Sequence, residues 1–292
     1  MKEVRMRGFS EPVRVDEALR RYLKAIRIDS LQDETILVAE SLGRVLAEDV
    51  VSSIDVPHFD RSAVDGYAVR SHDTFGSSPT NPIVLDLVGS VGIGQVPNID
   101  VGNLQAIGIA TGAPLPKGAD AVVMLEYTER IGEGKIEIYR PATPWSNVSK
   151  IGEDVKKGGK VLGKGTVLQP QDLGMLAVVG VDQVKVLRKP RIAILSTGNE
   201  LVESRSELVL GKVVDVNRIM ISASVEDLGG DPVDLGIVKD KVEDIRSRIS
   251  KGLNESDMVL VSGGTSVGAR DFVPKIVDSL GEPGIIVHGV SM

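Results

Sequence analysis

Residues 191–201 read RIAILSTGNEL, and residues 258–271 read MVLVSGGTSVGARD. Each is a short apolar run that breaks into glycine, serine and threonine, the pattern of a buried strand ending in a tight loop. Around them the period changes to that of helices. Ile221, Val225 and Leu228 share a face, with Asn217 as the predicted cap and Gly229-Gly230 as the stop. Val242, Ile245 and Ile249 mark a second helix, and Phe272, Ile276 and Leu280 a third, with Pro274 in its first turn. Val233 and Leu235 alternate into a strand, and Ile285-Ile286-Val287 reads as a fourth strand. The order βαβαβαβ requires parallel pairing with helices on both faces, and such sheets bind ligands at the carboxyl ends of their strands.

Those ends carry the residues suited to chemistry. Thr197-Gly198-Asn199-Glu200 follows the first strand, and Ser262-Gly263-Gly264-Thr265-Ser266 follows the third, with Asp271 shortly after. Glycines let backbone N–H groups approach an anion, and hydroxyls add donors. A lone loop of this kind is more simply a turn. Two of them, each followed by a carboxylate and joined at the same edge by Asp240, point to a phosphate or oxyanion site with Mg²⁺, a metal that prefers carboxylate and phosphate oxygens. Residues 158–165, GGKVLGKG, nearly fit a nucleotide-binding P-loop, but Gly165 stands where a hydroxyl is needed and no buried strand precedes it. A β-turn is expected there.

Upstream, Leu19, Leu23 and Ile26 behind Asp16 predict a helix over 15–27, and Ile36, Leu37, Leu42 and Leu46 predict another over 34–46. From Val50 to about Gly165, short runs at 83–85, 121–124 and 135–138 alternate with turn residues and predict a β-rich inserted domain. Within it DVPHFDRSAVDGYAV (55–69) carries three aspartates, an arginine and little periodicity. It reads either as a shaped functional loop or as an acidic turn packed by Phe59 and Tyr67. The same choice applies to ATGAPLPKGADAVV (110–123). The predicted domains are 1–32 with 190–292 (α/β), 33–52 with 156–189 (a small mixed α+β linker) and 53–155 (β-rich).

Composition removes several functions. Thirty-four Lys and Arg against 41 Asp and Glu give a formal charge of −7, and there are only 4 Phe, 4 Tyr and 1 Trp. That excludes the basic patches and stacking platforms of nucleic-acid binders. The absence of cysteine removes disulfides, thiolate metal sites and cysteine nucleophiles. His58, His72 and His288 share no zinc-ligand spacing. No apolar run approaches membrane-spanning length and the N-terminus has no signal-like apolar region, so a cytoplasmic protein without membrane contact is expected.

The motifs DVPHFDRSAVDGYAV, ATGAPLPKGADAVVMLE, GEDVKKG, ILSTGNEL, GKVVDVN and VSGGTSVGARD together resemble, in order and spacing, the molybdopterin molybdenumtransferases of the MoeA type, related to the E domain of gephyrin. The resemblance runs from about residue 10 to the end. It implies a three-layer molybdopterin-binding α/β domain and an elongated homodimer. The implied reaction inserts molybdate into adenylylated molybdopterin with release of AMP. Carried over by motif, Asp65, Thr111, Asp154 and Glu200 match catalytic positions. Glu200, Asp240 and Asp271 match positions for Mg²⁺. Thr197, Gly198, Gly263, Gly264, Thr265 and Ser266 would hold pterin or phosphate. The resemblance further implies that Asp65, Thr111 and Asp154 reach the site across the dimer, and it names the preceding adenylyltransferase as a protein partner. The family continues with a lysine-rich segment and a C-terminal β domain, so that domain is expected to be absent from this chain and activity to be low without it. An adenylyltransferase of the same fold and a non-enzymatic dimeric scaffold are the alternatives.

Overall fold

A computed structural model describes residues 13–26, 31–263 and 272–291. The architecture is α/β with mixed sheets, and the chain divides into two compact units, Met1–Thr35 with Lys185–Met292, and Ile36–Val184. The helix predicted behind Asp16 forms as α1 (Val15–Ala25), its first turn holding Asp16 and Glu17. Its apolar stripe is only partly buried. Ala18 is buried, whereas Leu19 and Leu23 are about half exposed.

In the unit 36–184, one six-stranded sheet dominates: β1 (Gly66–Val69), β2 (Ile83–Val91), β3 (Gln105–Ile109), β4 (Ala121–Met124), β5 (Thr128–Ile131) and β6 (Lys135–Ile138). The spatial order is β4-β1-β3-β2-β6-β5, with β2 and β3 parallel and the other pairs antiparallel. All three predicted runs lie in it. Both faces are covered. Tyr67, Val69, Leu85, Ile136 and Ile138 build one core, and Ala68, Val91, Ile107, Ile109 and Val122 the other. That two-sided burial explains why Ala121–Met124 is apolar throughout rather than alternating. Each large side chain withdrawn from water contributes about 1.5–3 kcal/mol.

The helix predicted over 34–46 is not formed. Asp33–Leu37 is a strand and Val38–Glu40 a single 3₁₀ turn. The N–H of Val38 bonds the carbonyl of Asp182, that of Gly43 bonds Leu168, and that of Leu46 bonds Thr166. Backbone partners far along the chain replace the i−4 carbonyls that a helix would use, so helical spacing of the apolar residues is overridden. The P-loop look-alike is a short strand, Lys160–Leu162, between turns, with Lys160 and the Lys164 N–H both held by Asp49. Helix α2 (Pro170–Val178) follows, opened by a reciprocal cap between Gln169 and Asp172.

The other unit holds β7 (Arg191–Thr197), α3 (Val216–Asp227), β8 (Asp231–Val238), α4 (Val242–Glu255), β9 (Met258–Ser262) and α5 (Phe272–Ser279). The strands run parallel in the order β8-β7-β9. Ala193, Leu195 and Leu235 pack with Ile245 and Ile249 of α4 and Ile276 of α5. Two expectations fail here. The cap of α3 is Asp215, not Asn217: its carboxylate accepts the N–H of Arg218 at 3.2 Å. Ile285–Val287 is not a strand, and the ladder forms later, where Val290–Ser291 runs parallel to Val13–Arg14. A three-residue apolar run carries no information on which edge, if any, will accept it.

Just before β7, Arg188 grips Asp257 through two bonds of 2.7 and 2.6 Å, and the N–H of Arg191 adds a third of 2.7 Å. These contacts, the guanidinium first, hold the Asp257 carboxyl at about 2. A depressed native pKa stabilises the fold above the unfolded value of roughly 4, and that contribution is lost as pH falls from there towards 2. Asp257→Asn is therefore expected to cost about 1–2 kcal/mol at pH 7 after solvent screening, and to cost little at pH 2. Urea midpoints of both proteins at the two pH values check this. A pH-independent difference would contradict it.

Candidate functional site

At the carboxyl end of β7, Ser196 and Thr197 are buried, and among the described residues neither hydroxyl has a hydrogen-bond partner. Unpaired buried hydroxyls are costly and call for an explanation, such as a ligand or a water. Gly263 lies against this point with φ +94°, and a Cβ there would fall 2.2 Å from the carbonyl oxygen of Thr197 and 3.1 Å from its hydroxyl. No other residue fits. The chain then turns at Gly198, whose N–H bonds the carbonyl of Val238, and the Glu200 carboxylate folds back over the Gly198 Cα.

Asp240 joins the same edge. Its N–H bonds the Asn199 side chain at 3.3 Å, which ties the loop after β7 to the one after β8. Glu200 and Asp240 are therefore on adjoining loops, and Thr197, Gly198 and Gly263 meet as the sequence predicted. Gly264, Thr265, Ser266 and Asp271 lie outside the described residues. Among the described residues no cluster of three or more His, Cys, Asp or Glu side chains gathers to hold a metal. The oxygen donors of Glu200 and Asp240 nonetheless suit a hard cation such as Mg²⁺.

Three polar residues at this edge have contacts that sequence reasoning did not anticipate. The Asn217 amide donates to the Ser262 hydroxyl at 2.9 Å, linking the start of α3 to the end of β9. Asp215 is buried and shares Arg218 with Asp234. The Lys212 ammonium bonds the Asn199 carbonyl. Membership of GKVVDVN was the only sequence signal for Asp215 and Lys212, and Asn217 had been read only as a helix cap.

In the unit 36–184, the three aspartates of 55–65 do the same job at three places. Asp55 accepts the N–H of Lys157 at 2.8 Å, Asp60 that of Ile151 at 2.7 Å, and Asp65 that of Thr111 at 2.7 Å. Asp65 also accepts the Thr111 hydroxyl at 2.9 Å. The register of β1 on β3 pairs Gly66 with Ile109, so Asp65 and Thr111 flank the ladder at one end. The N–H of Ser62 bonds Ala113 and that of Gly112 bonds Ser62, which stitches the 55–69 and 110–116 loops together. Asp154 approaches Arg61 at 4.0 Å, and its N–H bonds the carbonyl of Val56. The arginine noted in 55–69 is thus a charged partner of Asp154, a pairing that sequence reasoning did not anticipate.

The Thr111 N–H, and then its hydroxyl, lower the Asp65 pKa below the usual carboxylate value. Asp65 is thus a fixed anion at neutral pH rather than a proton donor. Thr111→Val removes the smaller of the two contacts, so the Asp65 pKa is expected to rise part of the way towards its ordinary value. Carboxyl NMR titration reads this, and a full return would mean that the backbone contact is lost too.

Residues 13–180 match the family model described as "MoeA N-terminal region (domain I and II)", and residues 193–292 match "Probable molybdopterin binding domain". The molybdopterin molybdenumtransferase of Bacillus subtilis (strain 168) is 39% identical over 275 residues, covering 92% of this chain and 63% of the relative. That of Staphylococcus aureus (strain Mu50) is 38% identical over 268 residues, covering 91% and 62%. A crystal structure of the molybdopterin biosynthesis MoeA protein from Pyrococcus horikoshii OT3 superposes with a TM-score of 0.80 at 43% identity, covering 87% of this chain and 67% of that one. The chain spans less than two thirds of the length of these curated relatives. Among the described residues no helix is long and apolar enough to cross a membrane.

Proposed function

This chain belongs to the MoeA family, and we propose that it carries the molybdopterin-handling part of a molybdenumtransferase, which inserts molybdate into adenylylated molybdopterin with release of AMP. The observation that carries the proposal is the edge after β7, where the Thr197 hydroxyl is buried without a partner among the described residues, beside a glycine that tolerates no side chain. That is a cradle for a group not made of protein. Thr197, Gly198, Gly263, Gly264, Thr265 and Ser266 hold the phosphate or pterin by N–H and hydroxyl donors. Glu200, Asp240 and Asp271 would hold Mg²⁺, which would supply positive charge against the phosphate oxygens. Molybdenum is taken up by the dithiolene sulfurs of the substrate, so a chain without cysteine suits the task. The fixed charge of Asp65, with Thr111 and Asp154, orients the substrate from the second protomer of a homodimer. In this reading β7–β9 are the middle of three layers, 53–155 is an inserted domain, and 33–52 with 156–189 link the two.

The test supplies adenylylated molybdopterin, molybdate and Mg²⁺ and follows AMP by chromatography. AMP is expected from the chain extended by the remaining third of the Bacillus subtilis relative, and Thr197→Val should slow it about tenfold, the loss of one hydrogen bond to a charged group. No AMP from the unsubstituted protein would overturn the reading.

A further inference from the structure

The loops after β7 and β8 carry Glu200 and Asp240 in a protein of net charge −7, so an anion bound there gains from a protein cation beside whatever charge a bound metal supplies. We propose that Lys212 is that cation, a binding residue for the phosphate-bearing end of a nucleotide ligand. The proposal rests on the strand-end reading above and adds to it a residue that the family motifs did not single out.

The placement follows from the chain path. After Glu200 the backbone leaves the sheet and returns, so that Leu201–Val202 pairs in parallel with Val213–Val214, and the N–H of Val213 bonds the Glu200 carbonyl. Gly211, with φ +86°, and the bond from the Lys212 N–H to the Val209 carbonyl set the turn just before this pair. Lys212 therefore arrives beside the loop that it left, and its ammonium bonds the Asn199 carbonyl between Gly198 and Glu200.

An ammonium has three donors, and this contact uses one. Among the described residues no carboxylate pairs with Lys212. Arg218, the nearest cation in sequence, differs, because Asp215 and Asp234 already neutralise it. Among the described residues Lys212 thus has two donors unused, anchored at the loop that follows the buried Thr197. A cation held there by neutral backbone is arranged for an incoming anion rather than for an internal ion pair.

The experiment titrates AMP and adenosine calorimetrically into the 292-residue chain and into Lys212→Met, Lys212→Arg and Lys241→Met. Lys241, at the start of α4, serves as a control for general surface charge. Lys212→Met is expected to weaken AMP about tenfold, to leave adenosine and the melting temperature unchanged, and to flatten the salt dependence of AMP binding. Lys212→Arg should retain most of the affinity, and Lys241→Met nearly all. The proposal is overturned if Lys212→Met leaves AMP binding unchanged, weakens adenosine equally, or is matched by Lys241→Met. If the unsubstituted chain binds neither ligand, the strand-end reading falls and takes the proposal with it. That outcome differs from the loss of Lys212 alone.

Discussion

Gly66→Ala is expected to lower the melting temperature of the unit 36–184 by roughly 6–12 °C, the equivalent of about 3 kcal/mol or more. The methyl would stand 2.1 Å from the Val123 carbonyl oxygen and 3.1 Å from Val122 Cγ1. The oxygen belongs to β4, which pairs with β1 through Gly66 and Met124, so relief requires the ladder to open at the very end where Asp65 is positioned. Gly180→Ala is the contrasting variant. Its φ of +75° makes alanine unfavourable, but nothing lies within 4 Å of the new methyl. The cost there is backbone strain alone, about 1–2 kcal/mol. Calorimetric melts of both proteins check the ordering. Equal losses would mean that the close approach at Gly66 is relieved by a small shift.

The second large effect is a gain of activity from two inactive proteins. In the proposed homodimer each site takes Asp65 from one protomer and Asp271 from the other. Asp65→Ala and Asp271→Ala homodimers are both expected to release almost no AMP. In a mixed dimer one site inherits both defects, whereas the other combines the intact Asp271 of the first chain with the intact Asp65 of the second. Activity should then return to about half of wild type per heterodimer, or about a quarter after random exchange of equal amounts, as two-fold symmetry requires. AMP release before and after exchange, with dimer content followed by light scattering, reads the result. No recovery despite exchange would place both residues in the service of one protomer.

Much of the candidate site was legible because its residues sit where local rules operate. A buried strand that ends in glycine and hydroxyls declares a loop at a sheet edge. Thr197, Gly198 and Gly263 meet there as read, with Asp240 brought in by the side chain of Asn199. The reading of 55–69 was less decisive. Either a shaped functional loop or an acidic turn packed by Phe59 and Tyr67 was compatible with three aspartates. Asp55, Asp60 and Asp65 each accept a backbone N–H, and of the three Asp65 also accepts a threonine hydroxyl.

By itself the sequence determined the alternation of parallel strands and helices in 191–280, the strand runs at 83–85, 121–124 and 135–138, and the motifs by which the family is known. Those features depend on periodicity, turn residues and chemistry within a few residues of one another. Tertiary structure alone decided that 34–46 gives up its helix, that Asp215 rather than Asn217 caps α3, that 285–287 forms no strand, and that Lys212 returns to the Asn199 carbonyl. In the first and last of these the deciding hydrogen-bond partner lies outside the span over which helical spacing is read, as Asp182 does for Val38. A backbone group takes whichever partner the folded chain leaves closest, and the spacing of apolar side chains does not encode that choice.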